Sequence, residues 1–285
     1  MIPVFLSRIK TRDGVTLDGL VVRPERKTKT ALIWLHGLSS RFSSGQTLVK
    51  ELSQKCRRDG IGYFKFNNRG HDIVNRDGRG KKRLQGAAFE KFENCVLDIR
   101  AVINFAKKLG YKKIILAGHS TGANKALYYL YKTRDRSVRG LILLGPVSDI
   151  AYDYMKFGKE TVRRRVALAK NRKPFSLLPQ EFGIWTAQRF LSILGEGRPE
   201  DVFPYHNSRA RWKELKSVRV PLLVVIGSKD EYLDRPAEKL LKAFEQQNAI
   251  SSKSFSGVII KNASHGFYKK EGELAKEIIN WIKRI

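Results

Sequence analysis

The chain has 285 residues, 42% hydrophobic and 29% charged, enough to bury one large core and ordinary for a folded protein. Its apolar runs are far too short to span a membrane, residues 1–6 are too brief for a signal-peptide core, and no repeat or low-complexity tract occurs. Lys and Arg number 56 against 27 acidic residues, and the resulting net charge of +29 attracts polyanions and speeds encounter with anionic substrates.

Basic residues cluster at Arg79, Lys81, Lys82 and Arg83, at Arg163, Arg164 and Arg165, and at Lys170, Arg172 and Lys173. No helix-turn-helix, zinc-finger or RNP pattern accompanies them, so the plain reading is a solvated basic surface. Gly78-Arg79-Gly80-Lys81-Lys82 is not a phosphate loop, because no Ser or Thr follows its Gly-Lys. Cys56 and Cys95 are the only cysteines and lack metal-type or C-x-x-C spacing, which is the expectation for free thiols in a reducing cytoplasm.

In chain order, a turn at Asp13-Gly14 precedes a strand over 15–22, and a buried strand over 30–35 ends in His36-Gly37. A helix over 48–58 and a strand over 62–66 follow. The apolar spacing of Phe92, Val96, Ile99, Ile103 and Ala106 predicts a long helix over 89–109. The run 114–117 is a strand that leads into a sharp Gly-flanked turn; helical spacing resumes at Ala123, Ala126, Leu127 and Leu130, and 141–144 is the next strand.

Strands alternating with amphipathic helices predict an α/β fold, a mostly parallel central sheet flanked by helices. From 150 to 218 that rhythm breaks. The segment is helical, basic and rich in aromatics, among them Tyr152, Tyr154, Phe157, Phe175, Phe182, Trp185 and Phe190. It reads as a helical cap inserted into a core formed by 1–149 and 219–285, the alternative being a peripheral helical layer. Strands over 221–226 and 257–261 and a closing helix over 273–285 complete the core.

Gly118-His119-Ser120-Thr121-Gly122 is a G-x-S-x-G pentapeptide between a strand and a helix, the placement a nucleophile elbow requires. A serine hydroxyl needs a base within hydrogen-bond reach, and the base needs a carboxylate to fix its tautomer and stabilise its cation. Loops at strand C-termini converge above a parallel sheet, so both partners should follow later strands. His265 follows the last strand; His36, His71, His119 and His206 are less suitably placed. Asp230 is the first carboxylate past the preceding strand, with Asp234, a potential helix cap, and Asp149 as rivals. Oxyanion donors are expected from the backbone N–H of Thr121 and of Leu38, the second in the His36-Gly37-Leu38 loop.

These segments, with Asn67-Asn68-Arg69-Gly70-His71, Gly227-Ser228-Lys229-Asp230 and Ser264-His265-Gly266, resemble the ordered signposts of α/β-hydrolase superfamily serine hydrolases. The resemblance implies Ser120 as nucleophile, Asp230 as acid, His265 as base, and Leu38 and Thr121 as oxyanion donors. Gln188-Arg189-Phe190-Leu191-Ser192 and Glu200-Asp201-Val202-Phe203 are also loosely similar to the branch that contains fungal siderophore-ester hydrolases. Asn67 and Asp72 depart from the D-x-R-G-x-G form that relatives carry, so local bonding in that loop is expected to differ.

The expected function is a cofactor-independent serine esterase acting on a small-molecule ester, with no resident metal. The basic field favours anionic substrates, and the aromatic cap favours hydrophobic walls. Amide, peptide, thioester or lactone cleavage is the alternative on the same fold. A basic polyanion-binding protein on a hydrolase scaffold is the alternative of another class.

Overall fold

A computed structural model gives the fold and describes residues 2–76, 84–248 and 254–285. The basic cluster Arg79, Lys81, Lys82 and Arg83, with the rejected phosphate loop over 78–82, lies outside the described residues. The chain opens with a hairpin of β1 (Phe5–Lys10) and β2 (Thr16–Val22). Its turn is closed by Gly14 at φ 83° and by the Thr11 hydroxyl, which accepts from the Val15 N–H at 2.9 Å. There follow β3 (Thr30–Leu35), α1 (Gln46–Arg58), β4 (Gly62–Phe66), a two-residue ribbon of β5 (Asn75–Arg76) and β6 (Leu84–Gln85), α2 (Cys95–Lys108), β7 (Lys113–His119), α3 (Thr121–Thr133) and β8 (Val138–Leu144). Four helices come next: α4 (Asp149–Phe157), α5 (Lys159–Lys170), α6 (Ala187–Leu194) and α7 (Lys213–Lys216). The chain returns through β9 (Leu222–Gly227), α8 (Ala237–Asn248), β10 (Phe255–Ile260) and α9 (Glu271–Arg284).

The described residues form one eight-stranded sheet in the order β1-β2-β4-β3-β7-β8-β9-β10. β1 and β2 pair antiparallel, as do β2 and β4, whereas every neighbour from β4 through β10 is parallel. This is the mostly parallel α/β architecture that the alternation of elements predicted. Helices cover both faces, so the central strands are apolar on both sides. Ile33 of β3 and Leu116 of β7 enter one core with α2 and α3; Leu32, Trp34 and Ile115 enter the other with α1 and α9. In α9, Leu274, Ile278, Trp281 and Ile282 recur at helical spacing and are buried. Each contributes about 1.5–3 kcal/mol of hydrophobic burial. Cys56 and Cys95 are free and buried on opposite faces.

The helix expected over 89–109 begins late: a short 3₁₀ turn spans Phe92–Asn94, and the α-helix starts at Cys95. Gly86, at φ 102°, passes so close to Ile73 and Val74 that a Cβ there would lie 2.7 Å from the Ile73 carbonyl oxygen. The chain after it is spent on bringing Glu90 inward to buried cations, and regular helix follows. The helical segment between β8 and β9 has a small core of its own, with Ile150, Val162, Ala169, Leu178, Ala187, Phe190 and Leu194. Val202, Phe203, Tyr205 and Trp212 pack instead into the larger core beside α3 and α8. Among the described residues no helix is long and apolar enough to cross a membrane.

Candidate active site

The parallel strands deliver β3, β4, β7, β8, β9 and β10 to one edge; Leu38, Ser120, Asp230 and His265 lie in loops that follow them, and Thr121 opens α3. Ser120 joins β7 to α3 with φ 54° and ψ −130°, a conformation that costs energy for any side-chain-bearing residue. The surrounding glycines make it possible. A Cβ on Gly118 would stand 2.1 Å from the Gly122 carbonyl oxygen, and one on Gly122 would stand 2.3 Å from that of Leu35. The Ser120 N–H donates to the Leu144 carbonyl at 2.9 Å, which ties the turn to β8.

His265 lies just past β10 and is 8% exposed; Asp230, just past β9, is 6% exposed. Nδ1 of His265 meets Oδ2 of Asp230 at 2.8 Å. The other carboxylate oxygen accepts from the Tyr232 N–H at 3.0 Å, so the side chain is held from two sides. Among the three carboxylates considered from sequence, Asp230 is the one bonded to His265. Asp234 is engaged by Arg235 at 2.7 Å, and Asp149 opens α4. Burial, reinforced by Glu200, pushes the Asp149 carboxyl up to about 7.

The imidazole of His265 is enclosed by neighbours. Gly145 has φ 49°, and a Cβ there would fall 3.0 Å from its Nδ1 and Cε1. The Tyr232 ring lies 4.6 Å from it, the Tyr152 ring of α4 lies 5.0 Å from Tyr232 at a tilt of 44°, and Lys156 Nζ sits 5.4 Å from the Tyr152 centroid. On the opposite side, His119 Nε2 is 2.8 Å from the His265 carbonyl oxygen. Burial and the neighbouring His265 lower the His119 imidazole to about 4, so it is neutral and Nε2 carries the donated hydrogen.

Gly37 borders Ser120 closely: a Cβ on it would be 3.1 Å from the Ser120 Cβ. His36 fixes this loop. Burial lowers its imidazole to about 3, and it is therefore neutral. Nε2 accepts from the Asn68 N–H at 3.2 Å, which leaves the hydrogen on Nδ1 to bond the Gly37 carbonyl at 2.9 Å. Thr121 follows Ser120 at the first position of α3, where helix N–H groups lack intrahelical partners. A cavity of about 250 Å³ reaches this region, lined in part by Trp34, His36, Gly37, Lys65, His119 and Tyr268.

The two departures in the Asn67–Asp72 region have local roles. The Asn67 side chain accepts from the Phe42 N–H at 2.8 Å. Asp72 takes the glycine position at φ 55°, which Asp tolerates better than most residues, and its carboxylate meets His71 Nδ1 at 2.7 Å. Arg69 is held by Asp98 and Asp13 at 2.8 and 2.9 Å.

Sequence reasoning missed a buried ionic cluster beneath the elbow: Glu90, Lys125 of α3, and Arg189 and Glu200 from the helical segment. One signal was available. Lys125 stands in a helix whose other positions from Thr121 to Leu130 are built for burial, and a lysine there requires a partner.

A mostly parallel sheet with a positive-φ serine between strand and helix defines the α/β-hydrolase fold, and this protein has it. The chain belongs to the family described as "Protein of unknown function (DUF1749)", whose profile matches residues 87–284. No curated protein matches the sequence. Among solved structures the chain is similar to the esterase Pf2001 of Pyrococcus furiosus, at 17% identity and a TM-score of 0.64, covering 99% of this chain and 91% of that one. It is similar to Est1E from Butyrivibrio proteoclasticus, solved with ferulic acid bound, at 18% identity and a TM-score of 0.66, with 98% of each chain covered. A third is the esterase EaEST from Exiguobacterium antarcticum, at 17% identity and a TM-score of 0.60, covering 98% of this chain and all of that one.

Proposed function

We propose that the protein is a serine hydrolase that cleaves carboxylic esters through an acyl-enzyme intermediate. The observation that carries this reading is the 2.8 Å contact of His265 Nδ1 with buried Asp230, at the sheet edge where Ser120 occupies a strained strand-to-helix turn. Asp230 keeps the hydrogen on Nδ1, leaving Nε2 free as the base. As Ser120 Oγ bonds to the ester carbonyl carbon, its proton passes to Nε2 and the carbonyl oxygen becomes an oxyanion. The N–H groups of Leu38 and Thr121 receive that charge. Collapse breaks the bond to the alkoxy oxygen, which leaves with the proton from His265. Water then repeats the sequence on the acyl-enzyme and frees the acid and Ser120.

Residues 150–218 act in this reading as a cap, and 1–149 with 219–285 as the catalytic core. The tilted Tyr152–Tyr232 pair and Lys156 beside it favour an ester with an aromatic or anionic group. The ferulic acid bound by Est1E is a compound of that kind. Buried free Cys56 and Cys95 accord with a cytoplasmic setting.

The test is a fluorophosphonate probe together with an aryl acetate. The wild-type protein should label and turn over, and Ser120→Ala should do neither. A wild type as inert as Ser120→Ala ends the proposal.

A further inference from the structure

We infer that Lys125 and Arg189 are positioning residues that couple the docking of the 150–218 segment to the orientation of the Leu38 oxyanion donor. The inference rests on the serine-hydrolase reading above. The path consists of buried groups in direct contact. Arg189, on α6, is fully buried; its guanidinium reaches Glu200 at 2.9 Å, Glu90 at 3.1 Å and the Ala87 carbonyl at 3.0 Å. Glu90 accepts from Lys125 Nζ at 2.7 and 3.0 Å, and the same ammonium donates to Asn68 Oδ1 at 3.1 Å. The backbone N–H of Asn68 bonds His36 Nε2, whose Nδ1–H holds the Gly37 carbonyl.

The last link determines the geometry that matters. A trans peptide directs its C=O and N–H to opposite sides of one plane. The Gly37–Leu38 peptide has its carbonyl held by His36 at 2.9 Å and more weakly by the Ser40 N–H at 3.3 Å, so its N–H is aimed the other way and cannot rotate without breaking those bonds. Gly37 lies against Ser120, so the fixed plane stands beside the reacting carbon. A second strand of the coupling runs through Asn124 of α3, whose side-chain amide donates to the Glu200 carbonyl at 3.1 Å.

A structural ion cluster would need no such continuity. Two carboxylates, one guanidinium and one ammonium already balance in charge, and Glu90 alone could satisfy Lys125. Burial opposes its ionisation, yet Lys125 and Arg189 hold the Glu90 carboxyl below its ordinary range, so Glu90 faces both cations as a carboxylate. The contact to Asn68 is the one that leads out of the cluster and toward the oxyanion loop.

The experiment uses the full chain, with kcat and KM on an aryl acetate and the rate of fluorophosphonate labelling as readouts. Loss of a whole oxyanion donor costs about 10²–10³ in kcat, so a donor turned out of line should cost about 10–100-fold. Lys125→Met should lower kcat by that amount with KM nearly unchanged, and should slow labelling in proportion. The acidic midpoint of its pH–rate profile should stay where the wild type has it, because the His265–Asp230 contact is untouched. Lys125→Arg should recover most of the loss, and Arg189→Met should reproduce the signature from the far end. A folded Lys125→Met with wild-type kcat overturns the inference. If Lys125→Met does not fold, Asn68→Ala decides, since it leaves the charges paired and removes the Asn68 Oδ1 link to Lys125 together with its bond from the Gly70 N–H at 3.0 Å; wild-type kcat there is equally fatal. A wild type that neither labels nor turns over defeats the serine-hydrolase reading and this inference with it. An active wild type with active variants defeats this inference alone.

Discussion

The Nε2–H of His119 donates to the backbone carbonyl of His265 at 2.8 Å, so the residue before the candidate nucleophile holds the main chain of the candidate base. The two imidazoles lie 4.9 Å apart, centroid to centroid. His119→Phe keeps the ring and removes the donor. We expect it to lower kcat about tenfold and stability by about 1 kcal/mol, the worth of one buried hydrogen bond. Steady-state kinetics with a thermal melt would check both; an unchanged kcat would mean that the His265 loop holds itself.

Gly37 has no room for a methyl group. A Cβ would meet the Ser120 Cβ at 3.1 Å and the His119 carbonyl at 3.3 Å, so Gly37→Ala must move the loop by a few tenths of an ångström. Catalysis should fall about 10–100-fold while the melting temperature moves little, because the loop lies outside both cores. The comparison of kcat with melting temperature separates a displaced donor from a damaged fold.

Asp149 gives a prediction about pH and stability. Its carboxyl is raised to about 7 by burial and by Glu200, against an ordinary value near 4 in the unfolded chain. Between those values the folded state binds more protons than the unfolded one, so this group lowers stability as pH rises through the window. Asp149→Asn removes the penalty. The variant should match wild type near pH 4 and be more stable at pH 8 by about 1–3 kcal/mol, part of the full shift being screened by solvent. Urea melts at the two pH values test it, and a variant less stable at pH 8 would contradict the sign.

The tilted Tyr152–Tyr232 pair should influence which esters are preferred. Tyr152→Ala is expected to lower kcat/KM about 3–10-fold for esters of aromatic acids and to leave short aliphatic esters nearly unaffected, as befits an aromatic contact of about 0.5–1.5 kcal/mol. Lys156→Ala should discriminate in addition against acids that carry a negative charge. A panel of paired aryl and alkyl esters reads both effects, and a uniform loss across the panel would remove this ring pair from substrate choice.

Much of this is legible in the sequence itself. Apolar runs such as 114–117 and 141–144 announce strands buried on both faces, and Ser120, Asp230 and His265 each follow one at the edge where loops converge. Other features depended on contacts that no local pattern encodes. Lys125 finds Glu90 across 35 residues and Asn68 across 57, and pairing at that range leaves no periodic trace. The late start of α2 has the same origin, because Glu90 is drawn toward cations from distant elements. The departures at Asn67 and Asp72 were visible as residues, while the new partner of Asn67, Phe42, 25 residues away, was not.

Cys56 and Cys95 sit on opposite sides of the sheet, and burial raises both thiols well above their ordinary value. Both are 1% exposed or less, so an alkylating reagent can reach them only through opening. Two natural reporters therefore watch the two layers separately. Equal labelling rates would mean that the faces come apart together, and unequal rates would name the layer that lets go first.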